Sequence, residues 1–370
     1  MNNKLTAVSL FSGCGGMDIG AELAGVEVIL ANDIMPETQR TYKNCFPHVD
    51  FVPGDIKNLT KLPAVDLVTG GYPCQSFSMG GNRNPNGDKR THLFKEFARC
   101  VDQVNPKFFI AENVSGMKSL NNGQWLTEQL ILFSSLGARG YNTTFKMIHA
   151  EKYGIPQRRK RLIIVGVRKD LKAFFRFPAE THGPDSAVRR QGLKPYESHG
   201  ETIAGLPLWP TGEFYERPHD PEGHWAWYYM SRNRKALWDG PAYTVVANFR
   251  HVTLHPASPV MKMLWSDLAN GWKQKWEFSG EYEHIVGHPE RPILEEPRRL
   301  SWRECALIQT FPRDFEPYGK LEKKFEQIGN AVPPELFRQI VSPIVNGNGL
   351  CDTPIPEECG TTYVASLAAQ

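Results

Sequence analysis

Over residues 1 to 170, short apolar runs alternate with stretches of helical spacing. The runs Ala7–Phe11, Val26–Ala31, Val65–Thr69, Phe108–Ala111 and Leu162–Val167 predict strands. Between them, Leu93–Val104 places apolar residues at helical spacing. Strands separated by helices predict an α/β fold with a mostly parallel, doubly wound sheet. The pattern then changes. Residues 178 to 297 hold 13 of the 28 prolines and seven of the nine tryptophans, with dense turn signals and little helical periodicity. They predict a smaller, irregular domain. Helical patterning returns at Ser301–Thr310 and Pro334–Val345. The expected division is therefore a first domain over 1–177, a second over 178–297, and a return to the first over 298–345. The tail, 346–370, shows no clear pattern and is expected to lack regular structure.

Composition narrows the class. The chain has 370 residues, 41% hydrophobic and 22% charged, which predicts a packed globular core. No apolar run approaches the roughly 20 residues of a membrane helix. Met1–Thr6 lacks the charged and apolar regions of a signal peptide, so the expectation is a soluble protein of the cell interior. Seven cysteines, an odd number with no CxxC pair, argue against a disulfide framework and against a metal site. A reducing compartment can maintain a reactive thiol. The net charge of +3 says little about partners, but residues 158 to 194 carry 11 Lys or Arg against 3 Asp or Glu, an excess of +8. Such a stretch is either a solvated surface or a contact for a phosphate backbone.

The first predicted strand ends in Phe11-Ser12-Gly13-Cys14-Gly15-Gly16. Glycines at a strand-to-helix turn let a ligand approach the backbone amides. The second strand ends at Asn32-Asp33, where a carboxylate could accept from ribose hydroxyls. Gly54-Asp55-Ile56 closes another strand-like run with an acid suited to an adenine amine. The layout points to a nucleotide-type cofactor without naming it, since nicotinamide and flavin enzymes share it.

The chemistry concentrates further on. Val65–Ser78, with Gly70-Gly71-Tyr72-Pro73-Cys74-Gln75 inside it, delivers Cys74 to the carboxyl edge of the sheet, where ligands sit in open α/β folds. A lone cysteine is more often a small buried apolar residue. Here a stiffening proline precedes it, and the polar loop Met79–Arg90 follows, suited to closing over a substrate. Phe108–Val114 ends its strand with Glu112, and Gln157-Arg-Arg-Lys-Arg161 leads into the strand Leu162–Val167. Taken singly, Glu112 could cap a helix and the arginines could form a solvated edge.

Taken together, Phe-Ser-Gly-Cys-Gly-Gly, Pro-Cys-Gln, Glu-Asn-Val, Gln-Arg-Arg-Lys-Arg and Gln-Ile-Gly-Asn-Ala-Val occur in the order found in DNA (cytosine-5) methyltransferases of the bacterial restriction-modification type. Arg299–Ala306 with Gln309-Thr-Phe-Pro312 resembles a further block of that family. The resemblance spans residues 7 to about 345. It implies a doubly wound, Rossmann-like S-adenosylmethionine-dependent methyltransferase domain over 1–177 and 298–345, and a target-recognition domain over 178–297. Phe11, Gly13, Gly15, Gly16, Asp33, Asp55, Ile56, Gly71, Pro73, Leu93 and Asn330 would then hold S-adenosylmethionine. Asp33 is one carbon shorter than the glutamate common at its position. Cys74 would attack carbon 6 of cytosine. Glu112 would support the ring nitrogen 3, Arg161 and Arg159 would hold the exocyclic oxygen and favour the thiolate, and Gln157 would belong to the same catalytic constellation. No residue is singled out as the base that removes the carbon-5 proton.

A stacked cytosine cannot meet a thiolate, so the base must be flipped out of double-stranded DNA. Arg83, Lys89 and Arg90 in the loop after Cys74 would contact phosphates. Tyr229–Arg234 and Pro241–Arg250 offer Arg232, Arg234 and Arg250 as readers of guanine, or else as braces of the small domain. These stretches resemble recognition domains of the branch that modifies GGCC, from which Val246-Ala-Asn-Phe249 departs. One cytosine per event suits a monomer, with any cognate restriction endonuclease acting separately. Three rivals remain: a tRNA-modifying branch with a shorter variable region, a regulatory relative that has lost part of the constellation, and a nicotinamide oxidoreductase.

Overall fold

A computed structural model describes residues 4–73, 93–118, 123–216, 225–267, 269, 273–283 and 291–368. They divide into two units. One comprises residues 1–149, 160–179 and 332–370, and the other 150–159 and 180–331.

The first unit is built on seven strands: β1 (Thr6–Leu10), β2 (Glu27–Asp33), β3 (Asp50–Pro53), β4 (Leu67–Gly70), β5 (Phe108–Val114), β6 (Tyr141–His149) and β7 (Lys160–Arg168). Their order is β3-β2-β1-β4-β5-β7-β6. β1 to β5 run parallel, whereas β7 is antiparallel to both β5 and β6. Helices α1 (Gly16–Leu23), α2 (Pro36–Cys45), α3 (Leu93–Val104) and α4 (Gln124–Ser134) lie in the connections. Because β1 pairs with β2 on one side and β4 on the other, the chain reverses its direction of winding there. The turn after β1 and the segment Gly71–Pro73 after β4 flank that crevice, the usual ligand position in an open α/β sheet.

Helix α3 shows why pattern leads to position. Its spacing buries Phe94, Phe97, Cys100 and Val101 in one stripe. Phe97 meets Phe109 of β5 and Phe133 of α4 edge-on, with ring centroids 6.1 and 5.8 Å apart. Burying rings of this size stabilises by about 2–3 kcal/mol each. The packing fixes β4 and β5 side by side, and their carboxyl ends carry the site.

Two features of this unit differ from the reading of the sequence. β6 is a full strand, although its residues form no apolar run; Thr143 and Thr144 are buried within it. The tail is ordered into Leu350–Cys351, which pairs antiparallel with Phe174–Phe175, and a helix over Gly360–Ala368 that packs on α4 and β6.

The second unit contains helices Asp185–Gln191, His199–Ile203, Trp302–Ile308 and Leu321–Asn330, and a hairpin of Met261–Asp267 with Lys273–Phe278. The return to the first unit falls at Val332, not at residue 298. Residues 298–331 stay in the second unit for a physical reason. Leu300 N donates to Thr253 O and Trp302 N to Glu213 O, both 2.9 Å, and helix Trp302–Ile308 packs on His199–Ile203. Arg298 grips Glu304 through two fully buried hydrogen bonds of 2.9 and 2.7 Å, and Glu304 closes the capping box on Ser301. Among the described residues, no helix is long and apolar enough to cross a membrane.

Candidate active site

In the first unit, the turn after β1 is shaped by backbone conformation. Phe11 takes a positive φ of 54°, and Gly15, at φ 86°, caps α1. A side chain at Gly15 would also strike the Phe46 ring, 2.5 Å from a built Cβ. Asp33, at the end of β2, fastens this turn: its Oδ2 accepts from Gly13 N at 2.8 Å, while Oδ1 accepts from Met35 N at 2.8 Å and Thr38 Oγ1 at 3.3 Å. Burial raises the Asp33 pKa, and hydrogen bonds from the backbone of Met35, Gly13 and Ile34 and from the Thr38 hydroxyl oppose that rise. Asp55 caps the 3-10 turn Ile56–Asn58 by accepting from Lys57 N at 3.0 Å. Leu93 is half-buried at the start of α3. Ile34, directly after Asp33, is 68% exposed. An aliphatic side chain left open beside this acid suits the face of a purine, and reading the sequence alone did not single it out. Its only signal there was an apolar residue immediately after the strand-ending acid.

The second cluster lies at the ends of β4, β5 and β7. Val114 pairs with Arg161 across the antiparallel ladder, which makes Glu112 and Arg161 diagonal neighbours on one face. Arg161 Nε stands 2.7 Å from Glu112 Oε1, with both side chains largely buried. Burial lowers the Arg161 pKa, opposed by the attraction of Glu112; an arginine remains cationic under either influence. A Cβ at Gly71 would lie 3.1 Å from Glu112 Oε2, so the glycine admits the carboxylate against the chain leaving β4. Asn113 Nδ2 donates to Tyr72 O at 3.2 Å and fixes the same segment. That segment, Gly71-Tyr72-Pro73, leads into Cys74. Cys74 itself lies outside the described residues, as do Arg83, Lys89 and Arg90.

Gln157 and Arg159 belong to the second unit, and the structure gives them other work. Arg159 is wholly buried. It donates to Val245 O at 3.1 Å, Gly329 O at 2.9 Å and Ala331 O at 2.7 Å. A guanidinium that donates to three backbone carbonyls braces the chain around it. Gln157, also fully buried, holds Gln309 and Val245 N. Asn330 is exposed at the end of helix Leu321–Asn330.

The three proposed DNA readers separate as well. Arg232 and Arg250 are exposed. Arg234 is buried, donates to the carbonyls of Tyr229, Tyr228 and His251, and stacks 4.8 Å over the Tyr229 ring. Arg234 therefore braces the unit through the backbone of Tyr228, Tyr229 and His251. Arg250 follows Asn248, whose side chain accepts from Arg250 N at 3.0 Å and caps the turn Phe249–His251.

Cys14 and Cys100 are buried thiols. Burial pushes the Cys14 pKa far above the ordinary range and that of Cys100 up to about 11, so both stay protonated at neutral pH.

The model of C-5 cytosine-specific DNA methylases matches residues 5–346. The Type II methyltransferase M.BsuRI of Bacillus subtilis is 35% identical over 384 residues, covering 93% of this chain and 80% of that protein. The Type II methyltransferase M.FnuDI of Fusobacterium nucleatum is 36% identical, covering 89% and 91%. Among solved structures, the S. pombe Dnmt2 methyltransferase superposes with a TM-score of 0.59 at 17% identity, covering 93% of this chain and 99% of that one. With the ordered motifs, the crevice of the sheet and the paired Glu112 and Arg161, the chain belongs to the C-5 cytosine-specific DNA methylase family.

Proposed function

We propose that this enzyme methylates carbon 5 of a cytosine flipped out of a short duplex sequence, protecting host DNA beside a separately acting restriction endonuclease. The observation that supports it most is the Glu112–Arg161 pair, seated on one face where β5 and β7 meet and next to the segment that leads into Cys74. S-adenosylmethionine, when bound, supplies an electrophilic methyl group. The residues present fit it: Asp33 places a carboxylate at the end of β2 beside the turn after β1, Ile34 offers an open apolar surface, and nothing lies within 4 Å of a Cβ built at Gly13.

The remaining roles follow from the chain. The Cys74 thiolate adds to carbon 6, which turns carbon 5 into an enamine carbon able to attack the methyl group. Glu112 holds a proton at ring nitrogen 3 and so favours the addition. Arg161 keeps Glu112 in place and faces the exocyclic oxygen, where negative charge develops. After transfer, loss of the carbon-5 proton expels Cys74 and restores the ring. Arg232 and Arg250 reach toward DNA from the second unit, and the protein acts as a monomer. GGCC is the first target to test.

Incubation with tritiated S-adenosylmethionine and unmethylated duplex DNA, followed by base-resolution mapping, tests the proposal. Label at carbon 5 of cytosine within one short motif is expected. Label on tRNA instead, or on neither, would overturn it.

A further inference from the structure

Helix α4 carries a polar residue where its spacing asks for an apolar one. Leu126, Leu130 and Phe133 face the core, and Gln129 lies on the same stripe, 2% exposed. A buried amide is costly unless its hydrogen bonds are made. Gln129 uses both ends of its amide: Oε1 accepts from the Tyr72 hydroxyl, and Nε2 donates to Met117 Sδ at 3.3 Å. Met117 sits in the 3-10 turn Ser115–Lys118, directly after β5. Gln129 therefore ties the chain leaving β4 to the chain leaving β5, the strand that carries Glu112. An apolar pair in these two places would fill the same core without a polar atom, so packing alone does not call for the bond.

Tyr72 is a stiff point for that bond to act on. Its ring meets Phe97 of α3 with centroids 5.6 Å apart, and Phe11 of the turn after β1 edge-on at 6.4 Å. Its carbonyl accepts from Asn113 Nδ2 at 3.2 Å. Gly71, before it, runs against the Glu112 carboxylate. Pro73, after it, has a ring that fixes its own φ and narrows the conformations open to Tyr72. Little rotation is left there to absorb a shift of Tyr72, so such a shift passes along the chain towards Cys74, two residues on.

We infer that Gln129 is a positioning residue for methyl transfer: through the Tyr72 hydroxyl it holds Gly71–Pro73 in place beside Glu112. The role requires no contact of Gln129 with cytosine or with S-adenosylmethionine. It rests on the reading of Cys74 as the nucleophile that follows this segment.

Tyr72→Phe removes only the hydroxyl, and Gln129→Leu removes its partner. The single-turnover rate of methyl transfer to duplex DNA is expected to fall about tenfold in each. Equilibrium binding of DNA and of S-adenosylmethionine should stay within about twofold. The double variant, Tyr72→Phe with Gln129→Leu, separates position from stability. With both partners apolar, neither end of the lost bond is left unsatisfied, so the melting temperature should return to that of the parent. The rate should nevertheless stay about tenfold low. Should either single variant not fold, the double variant still decides. A rate that recovers together with the melting temperature would make the bond a structural one and overturn the inference, as would parental rates in all three variants. Cys74→Ala tests the underlying reading. If it still methylates DNA, the nucleophile assignment fails. If it is inactive while the three variants keep the parental rate, only the positioning role fails.

Discussion

Arg159 and Arg161 stand two residues apart in one basic motif and end in different chemistry. Arg161 opens β7 in the first unit, diagonal to Glu112 and 2.7 Å from its carboxylate. Arg159 precedes the strand, lies in the second unit and gives its guanidinium to three backbone carbonyls. Along a strand, positions i and i+2 share a face, so the spacing alone would assign both arginines one role. The strand boundary at Lys160 decides otherwise: residues before it pair with Ala242, residues after it pair with β5 and β6. A motif specifies residue types, whereas the partner of the backbone decides which side chain meets a substrate and which holds the protein together.

Glu112, the partner of Arg161, carries the largest expected effect. Glu112→Gln is expected to lower kcat by about 10²–10⁴-fold, with little change in DNA affinity, measured by single-turnover methyl transfer. A rate within a few-fold of the unaltered enzyme would remove Glu112 from the chemistry. Arg159→Ala should act differently, costing about 3–5 kcal/mol of stability by leaving buried carbonyls and a cavity behind. Urea unfolding measures this. A variant as stable as the parent but unable to turn over would return Arg159 to the reaction.

A buried acid offers the contrast to these partnered cations. Asp18 in α1 is enclosed, with the hydroxyls of Ser9 and Tyr42 beside it, and burial raises its pKa to about 6 from an ordinary 3.8. Between those two pH values the unfolded chain releases a proton that the folded chain keeps. Stability therefore falls as pH rises through the window and levels above about 6, where the buried charge costs about 3 kcal/mol. Asp18→Asn should be the more stable form at pH 7.5 and lose that advantage at pH 4.5. Equal destabilisation at both values would show that the charged form is welcome there. Last, Arg250→Ala should cost about 1–3 kcal/mol of discrimination with an unchanged melting temperature, whereas Arg234→Ala should lower the melting temperature. The reverse pattern would exchange their roles.

The strands and motifs that build the first unit were legible because apolar runs and glycine turns reflect local chemistry. β6 was not, since Thr143 and Thr144 are buried in a strand whose neighbours supply the apolar contacts. The helix over Trp302–Ile308 was visible in its spacing, but not the unit it joins, because the buried Arg298–Glu304 pair is a feature of three-dimensional packing. Gln309 lay within a block already noted, yet its partner Gln157 is 152 residues away. No local pattern announces such a pair.

The central claim is covalent catalysis through Cys74, and a cytosine bearing fluorine at carbon 5 tests it most directly. Fluorine cannot leave as a proton does, so after methyl transfer the elimination that frees Cys74 should halt, with the thioether to carbon 6 intact. The expected product is a denaturation-resistant protein–DNA complex that needs S-adenosylmethionine, maps by mass spectrometry to the peptide containing Cys74, and is absent in Cys74→Ala. No complex with the unaltered enzyme, or one attached to another cysteine, would contradict it.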